Sequence, residues 1–494
     1  MGSELKIEPD DGLADRVRGA VMWRSGSQIL GQMVTWASTF VVIRLLNPSD
    51  YGLFAMAQVV LVFLNLMSGY GFANALIRRE SVSEREIRQV FGMLILLNFG
   101  LAATQVALAP LAAAYYRQPI VADMLRVQAL LYLPTPLTAI HQALLSRRID
   151  FRRQGQVQIV TAILGGATAL GCALAGLGVW TLVIAPLVLF WSQGIGMTLL
   201  SGARIWPSFR FKGAGELFRY GGAMVVVQMF WFVQSQSDVF IAGRLLDPHH
   251  LGLYTTSLFL TQILAGKFVP PLNEVAFAAY SKLQDRREAL AAAFLKTVRI
   301  IMLVALPFYF GLAATARPLV LTVLGWKWAE TVPLVGLLAW AMPFLTLQIL
   351  FAPATNALGH ARIALRVSMA GAVVLPICFL FAVRFGAEGL ACAWLIGFPI
   401  LTLATAAFSL PVIGASFAGL GRAIAPGLLA SAAMAAGVKG LDLILPAMAP
   451  VARLALLVPF GAATYGAILL VFARPMLSEV SGFVLGRGRT PQPA

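Results

Sequence analysis

The sequence predicts an all-α polytopic membrane protein: fourteen transmembrane helices, arranged as two parallel six-helix repeats plus two extra C-terminal helices. Three observations carry this expectation. The 494 residues are 59% hydrophobic and only 12% charged, where a soluble chain carries roughly a quarter charged residues to cover its surface. Mean hydropathy is +0.82, and apolar runs long enough to cross a bilayer, about 20 residues each, tile the chain almost without pause. The Lys and Arg residues fall in short clusters between those runs. The net charge of +16 therefore marks basic loops on one membrane face, not a nucleic-acid surface. A multi-domain soluble enzyme is excluded.

In chain order, an acidic N-terminal segment (residues 1–16) lacks the apolar core of a signal peptide and is read as cytoplasmic. The first six-helix bundle occupies 17–205, with spans expected near 24–44, 52–76, 89–116, 124–145, 154–176 and 179–203. Its last two spans come from one uncharged 50-residue stretch, Gln154 to Ala203. That is too long for a single crossing, so it must fold back at Gly176-Leu177-Gly178, where glycine permits a tight turn. The second bundle occupies 206–415, with spans near 217–243, 252–280, 292–316, 331–357, 362–383 and 388–414. Two further spans, 422–440 and 452–473, fall within 416–475, and 476–494 form a cytoplasmic tail.

Charge orients the chain. With the N-terminus inside, cytoplasmic segments hold 27 of the 37 Lys and Arg residues and the outer turns hold 7. That bias predicts both termini in the cytoplasm, and the even span count agrees. The longest outer segment, Arg317 to Glu330, has about 14 residues, so no loop has room for a catalytic domain. A polytopic polymerase or ligase would need such a loop; this chain is expected not to be an enzyme. Cys172, Cys378 and Cys392 all sit in apolar runs and read as small hydrophobes. Without a CxxC or His-rich spacing, no metal site, cofactor or disulfide framework is expected. His249-His250 falls in an outer turn and reads as solvated.

An internal duplication is visible at an offset of 200 residues. Arg44-Leu45-Leu46-Asn47-Pro48 runs on to Tyr51-Gly52-Leu53-Phe54, and Arg244-Leu245-Leu246-Asp247-Pro248 runs on to Leu251-Gly252-Leu253-Tyr254. The register extends upstream, pairing Gln28 with Gln228 and Phe40 with Phe240. Six spans separate the equivalent turns, an even number, so both copies cross in the same sense. Parallel repeats of this kind rock about a central site in transporters.

These residues resemble a known family. The Arg-Leu-Leu-x-Pro-x-x-Tyr-Gly-Leu-Phe turn is similar to one found in Wzx-type oligosaccharide flippases, the lipopolysaccharide and exopolysaccharide exporters of the multidrug/oligosaccharidyl-lipid/polysaccharide superfamily. So are Leu145-Ser146-Arg147-Arg148-Ile149-Asp150-Phe151, Gly178-Val179-Trp180-Thr181-Leu182-Val183, Gln236-Ser237-Asp238 and Leu251-Gly252-Leu253-Tyr254. The resemblance covers roughly residues 15–415. It implies a fourteen-helix flippase of the inner membrane that moves undecaprenyl-diphosphate-linked oligosaccharide to the periplasmic leaflet. It also implies a coupling ion, H+ or Na+, and, besides the lipid bilayer, a polysaccharide polymerase and export machinery as partners. A cation-coupled drug antiporter of the same superfamily shares the architecture and is the alternative; its resemblance at these motifs is poorer.

Polar residues inside spans are the site candidates, because charge in hydrocarbon is costly and usually faces a cavity or a partner. On the first span Arg24, Gln28, Gln32, Thr35 and Thr39 fall within about 80 degrees of one another around a helix of 3.6 residues per turn. Such a stripe either lines a cavity or hydrogen-bonds a neighbouring helix. On the eighth span Lys267 and Glu274 flank Pro270-Pro271, which remove two backbone donors and serve as the expected hinge. Asp238 lies on the preceding span. It is a further cavity candidate, or else the partner of Lys267 in a buried ion pair that fixes packing. If the chain flips a lipid diphosphate, Arg24 or Lys267 would meet the phosphates, Arg through bidentate hydrogen bonds and Lys as a point charge.

Overall fold

A computed structural model describes residues 13–67, 83–148, 150–202, 205–210 and 215–472. The expected N-terminal segment falls largely outside the described residues, as do the tail 476–494 and Arg78, Arg79, Ile149, Arg204 and Lys212. Every regular element among the described residues is helical. The chain divides into two compact units. One holds residues up to Phe232 together with Gly243–Gly252; the other holds Val233–Ala242 and everything from Leu253 onward.

In the first unit, α1 (Leu13–Leu45) leads through a short turn to α2 (Pro48–Asn65). Pro48 suits the first helical position, where an N–H would have no partner, and the Asp50 carboxylate accepts the Asn47 N–H at 3.0 Å. Helix α3 (Glu84–Tyr116) opens on a reciprocal cap: Ser83 N–H donates to Glu86 Oε2 at 2.9 Å, and Glu86 N–H donates to Ser83 Oγ at 3.3 Å. It is followed by α4 (Pro119–Gln128), a 3-10 turn at Ala129–Leu131 and α5 (Thr135–Arg147). The last two helices are α6 (Phe151–Leu174), capped by Asp150, and α7 (Trp180–Ser201). Between them Gly176 and Gly178 hold φ of 75° and 55°, the left-handed conformation the expected reversal requires. Ile87, Val90, Phe91 and Leu94 of α3 pack on Ala139, Ile140, Ala143 and Leu144 of α5. Helices α1 and α6 meet through small residues: a Cβ at Gly155 would lie 2.8 Å from Ser27 Oγ, and one at Gly166 would lie 3.2 Å from Ser38 Oγ. Close approach through small side chains is how helices pack where lipid removes the hydrophobic drive between them.

Helices α8 (Gly215–Leu245) and α9 (Pro248–Lys267) contribute to both units, their connecting turn to the first. The second unit continues with α10 (Val269–Ser281), α11 (Arg287–Ala314), α12 (Ala316–Val323), α13 (Thr331–Ile349) and α14 (Phe351–Ala357). It ends with α15 (Ala361–Ala382), α16 (Gly386–Ile413), α17 (Phe417–Ile444) and α18 (Pro450–Phe472). Described helix overlaps each of the fourteen expected spans. By length and hydropathy, eight helical runs among the described residues are able to cross a membrane. One of them, Arg362–Ile413, has 52 residues and comprises α15 and α16.

Prolines explain where continuous spans were expected and broken ones formed. The span at 124–145 is interrupted ahead of Pro134 and Pro136, and the span at 252–280 breaks between Lys267 and Val269. The span at 331–357 breaks at Leu350, because Pro353 has no N–H for the Ile349 carbonyl and its ring crowds that oxygen. Asn273 Nδ2 donates to the Ile349 carbonyl instead, at 3.3 Å. Pro307 strips the Leu303 carbonyl in the same way, and Tyr465 Oη of α18 donates to it at 2.7 Å. Neighbouring side chains thus satisfy the backbone oxygens that proline frees in an apolar medium. The segment 317–330, expected as an outer loop, is not an open loop: it holds most of α12 and a 3-10 turn at Trp326–Trp328, with Trp328 fully buried.

Candidate functional site

Within the first unit, Ser27, Gly31 and Ser38 of α1 face α6, and the Arg24–Gln28–Gln32 stripe borders that seam. Arg24 is exposed, with its guanidinium 5.2 Å from the centroid of the Phe151 ring. Gln28 is exposed and Gln32 half-buried. Thr35 is spent locally, its hydroxyl donating to the Gly31 carbonyl at 2.8 Å. The exposed part of the stripe is therefore a cation followed by amides.

Asp238 occupies the best-defined polar centre of the second unit. It lies seven residues before the end of α8, and Tyr254 lies six residues after the start of α9. The turn at 246–247 returns the chain, so the two side chains reach the same depth. Tyr254 Oη donates to Asp238 Oδ2 at 2.7 Å, and Trp394 Nε1 of α16 donates to Tyr254 Oη at 2.7 Å. All three are buried: Asp238 is 2% exposed, Tyr254 0% and Trp394 7%. Among the described residues, the other carboxylate oxygen, Oδ1, has no hydrogen-bond partner. Trp394 is itself held by Phe398, stacked at 4.5 Å. A buried carboxyl with one neutral donor and one bare oxygen is an unusual holding in an apolar interior, where polar groups are normally all paired. Chemically it can take up a proton or a small cation.

Lys267 ends α9, and Phe268 separates it from α10, whose first turn holds Pro270 and Pro271. There the prolines start a helix, where their missing N–H groups cost nothing. Lys267 and Glu274 are both exposed. No ion pair joins Lys267 to Glu274 or to Asp238 among the described residues. Within the second unit, the structure therefore does not bring Asp238, Lys267 and Glu274 into one cluster. Asp238 is buried with Tyr254 and Trp394, while Lys267 and Glu274 stand exposed on either side of the helix break.

Two further features bear on function. At the start of α9, His250 Nδ1 lies 2.5 Å from Asp247 Oδ2 in the preceding turn. A cleft of about 540 Å³ opens at the elbow of α3 and α4, lined by Arg117, Asp123 and Arg126 among others. It contains none of the residues singled out from the sequence. Cys172, Cys378 and Cys392 are free thiols. Trp394 was not legible as a site residue, because it lies 140 positions from the tyrosine it binds; the only advance signal was an indole in an apolar run.

Residues 41–333 match the family model described as polysaccharide biosynthesis protein. Among curated proteins, the chain is 27% identical over 350 residues to the succinoglycan biosynthesis transport protein ExoT of Rhizobium meliloti (strain 1021), covering 68% of this chain and 69% of that one. It is 24% identical over 281 residues to the teichuronic acid biosynthesis protein TuaB of Bacillus subtilis (strain 168), covering 56% and 58%. It is 22% identical over 304 residues to the lipopolysaccharide biosynthesis protein WzxC of Escherichia coli (strain K12), covering 60% and 61%. Among solved structures, the fold is similar to that of the lipid II flippase MurJ in an inward closed conformation. That match has TM-score 0.73 and 13% identity, over 92% of this chain and 99% of that one. An inward-facing multidrug resistance MATE family transporter of the MOP superfamily matches with TM-score 0.61 and 13% identity, over 80% and 98%.

Proposed function

The chain belongs to the polysaccharide biosynthesis protein family, and from that premise we propose that it is a flippase of the inner membrane. It moves undecaprenyl-diphosphate-linked oligosaccharide repeat units to the periplasmic leaflet by alternating access, for lipopolysaccharide or exopolysaccharide biosynthesis. Fourteen spans in two parallel repeats carry the motion, with both termini in the cytoplasm and the Pro270-Pro271 break as a hinge. A polysaccharide polymerase and export machinery take over the product.

The observation that carries this reading is the exposure of Arg24 and Lys267 in expected spans, with no acid joined to Lys267 among the described residues. A lone cation in hydrocarbon is costly, so each faces water. A diphosphate whose glycan must cross the bilayer needs such cations in a wetted path while its polyprenyl tail stays in lipid. Gln28, Gln32 and Glu274 supply hydrogen-bonding groups for sugar hydroxyls. Asp238 is buried too deeply to meet a solvated glycan and takes the coupling ion, H+ or Na+. The 200-residue offset puts Ser38 and Phe54 at the positions of Asp238 and Tyr254, so only the second repeat carries this ionisable pair. Binding and translocation need no covalent step, and the protein acts as a transporter. The drug-antiporter alternative has the weaker support: the multidrug transporter matches 80% of this chain with TM-score 0.61, against 92% and 0.73 for the lipid II flippase.

The test is flipping of a lipid-linked oligosaccharide in vesicles reconstituted with the purified protein, normalised to folded molecules. Protein-dependent flipping is expected. Lys267→Met should reduce it at unchanged thermal stability, and Lys267→Arg should retain more. No flipping above empty vesicles would sink the reading; full activity in Lys267→Met would transfer the diphosphate role to Arg24.

A further inference from the structure

The two equivalent turns touch. A Cβ at Gly52 would overlap the Pro248 carbonyl and lie 3.0 Å from the Gly252 nitrogen; a Cβ at Gly252 would overlap the Pro48 carbonyl and lie 2.9 Å from the Gly52 nitrogen. The contact is reciprocal: residue and partner exchange roles at an offset of 200. It brings the first turn of α2 against the first turn of α9 at backbone distance. Glycine is the only residue that permits this, because any side chain would have to displace main chain. Each Cα–H then faces a carbonyl oxygen, an arrangement of weak hydrogen bonds.

Two more contacts seat the second turn. A Cβ at Gly243 would lie 2.7 Å from the Tyr116 ring, and Arg244 donates to the Tyr115 carbonyl at 2.7 Å with its guanidinium 5.8 Å from the Tyr115 ring centroid. Two helix N-termini meeting at this range repel through their positive dipole ends, and each carries an acid that offsets it. Asp50 accepts the Asn47 N–H; Asp247 accepts the His249 and His250 N–H groups at 2.9 and 3.1 Å. Partial burial would raise the Asp247 carboxyl, but these donors and the His250 side chain outweigh it and hold it below the ordinary carboxylate value. Met56 is fully buried beneath the turn, its Cγ 3.2 Å from where a Gly243 Cβ would be.

We propose that Gly52 and Gly252 form a latch that closes the outer face of the protein and that must part during each transport cycle. The inference rests on the flippase reading for the cycle itself; the latch is judged separately. At the seam itself closure is backbone against backbone, and among the described residues no salt bridge crosses it.

The experiment uses the full chain with its three native cysteines replaced, in sealed vesicles with the outer face exposed. A cysteine at Met56 should react slowly with an impermeant maleimide. Gly52→Ala and Gly252→Ala should each accelerate that reaction by on the order of tenfold or more, since overpacking a close contact shifts the balance toward the parted state. Gly100→Ala, whose Cβ meets nothing within 4 Å, is the control and should leave the rate unchanged. Rates in the two turn variants equal to the control would overturn the latch. In a second arm, cysteines at Ser49 and His249 are joined after folding by a short cleavable bis-thiol reagent. Flipping should stop and return when the tether is reduced; flipping that persists while tethered overturns the proposal. If the untethered protein flips nothing, the flippase reading fails, and the Met56 labelling still decides the latch.

Discussion

Asp238 shows how much a single residue's surroundings alter its meaning. In sequence it is an acid near a lysine; in the fold it binds Tyr254, which is bound in turn by Trp394. The nearest expectation, an ion pair with Lys267, does not form. Tyr254→Phe should therefore destabilise the protein by about 1.5–3 kcal/mol, the worth of a hydrogen bond to a charged group, because it also strands the Trp394 indole N–H. Thermal unfolding in detergent measures this. An unshifted midpoint would mean that the triad does not hold the packing of α8, α9 and α16. Asp238 and Tyr254 were both marked from the sequence, Asp238 as a charge inside an apolar run and Tyr254 as part of a repeated turn. Trp394 carried no such mark.

At the level of the helix, proline is the most informative residue in this chain. Pro270-Pro271 announced a break that the structure places between Lys267 and Val269. The breaks ahead of Pro134 and at Leu350 follow the same chemistry but were read through as continuous spans, because apolar run length ignores backbone donors. The partners that repair these breaks are long-range. Tyr465 of α18 serves the Leu303 carbonyl of α11, 162 residues away. Tyr465→Phe should leave that oxygen bare in an apolar setting and cost about 1–3 kcal/mol, read as a lowered unfolding temperature. Phe substitution retains the ring's packing against Leu303, Ala430 and Leu469, so loss of fold by cavity formation is not expected. An unchanged unfolding temperature would show that the carbonyl finds another donor.

For the whole molecule, orientation is the property most open to direct test. With both termini inside, single cysteines at Ser83 and Ser146 should resist an impermeant label applied from outside, and those at Ser49 and His250 should react. Outside labelling of Ser146 would reverse the orientation and would put the Gly52–Gly252 seam on the cytoplasmic face. Helix α1 ends at Leu45 and α8 at Leu245, and α2 and α9 begin at Pro48 and Pro248. Each long helix that follows, α3 and α11, is succeeded by a short one, α4 and α12.

Composition, run length and basic clustering by themselves determined that this chain belongs in a bilayer, where its helices lie, and where Gly176 and Gly178 turn it back. Those properties are local: hydropathy sums over about 20 residues, and a proline or glycine acts within a turn of its own position. The tertiary structure alone decided which polar groups meet. Asp238 took a tyrosine over a lysine, Asn273 and Tyr465 took the carbonyls that prolines released, and two glycines 200 positions apart came to share one seam. In an apolar medium a polar group must find its partner within the protein, and that partner is set by which helices pack together, a relation that no local window of sequence contains.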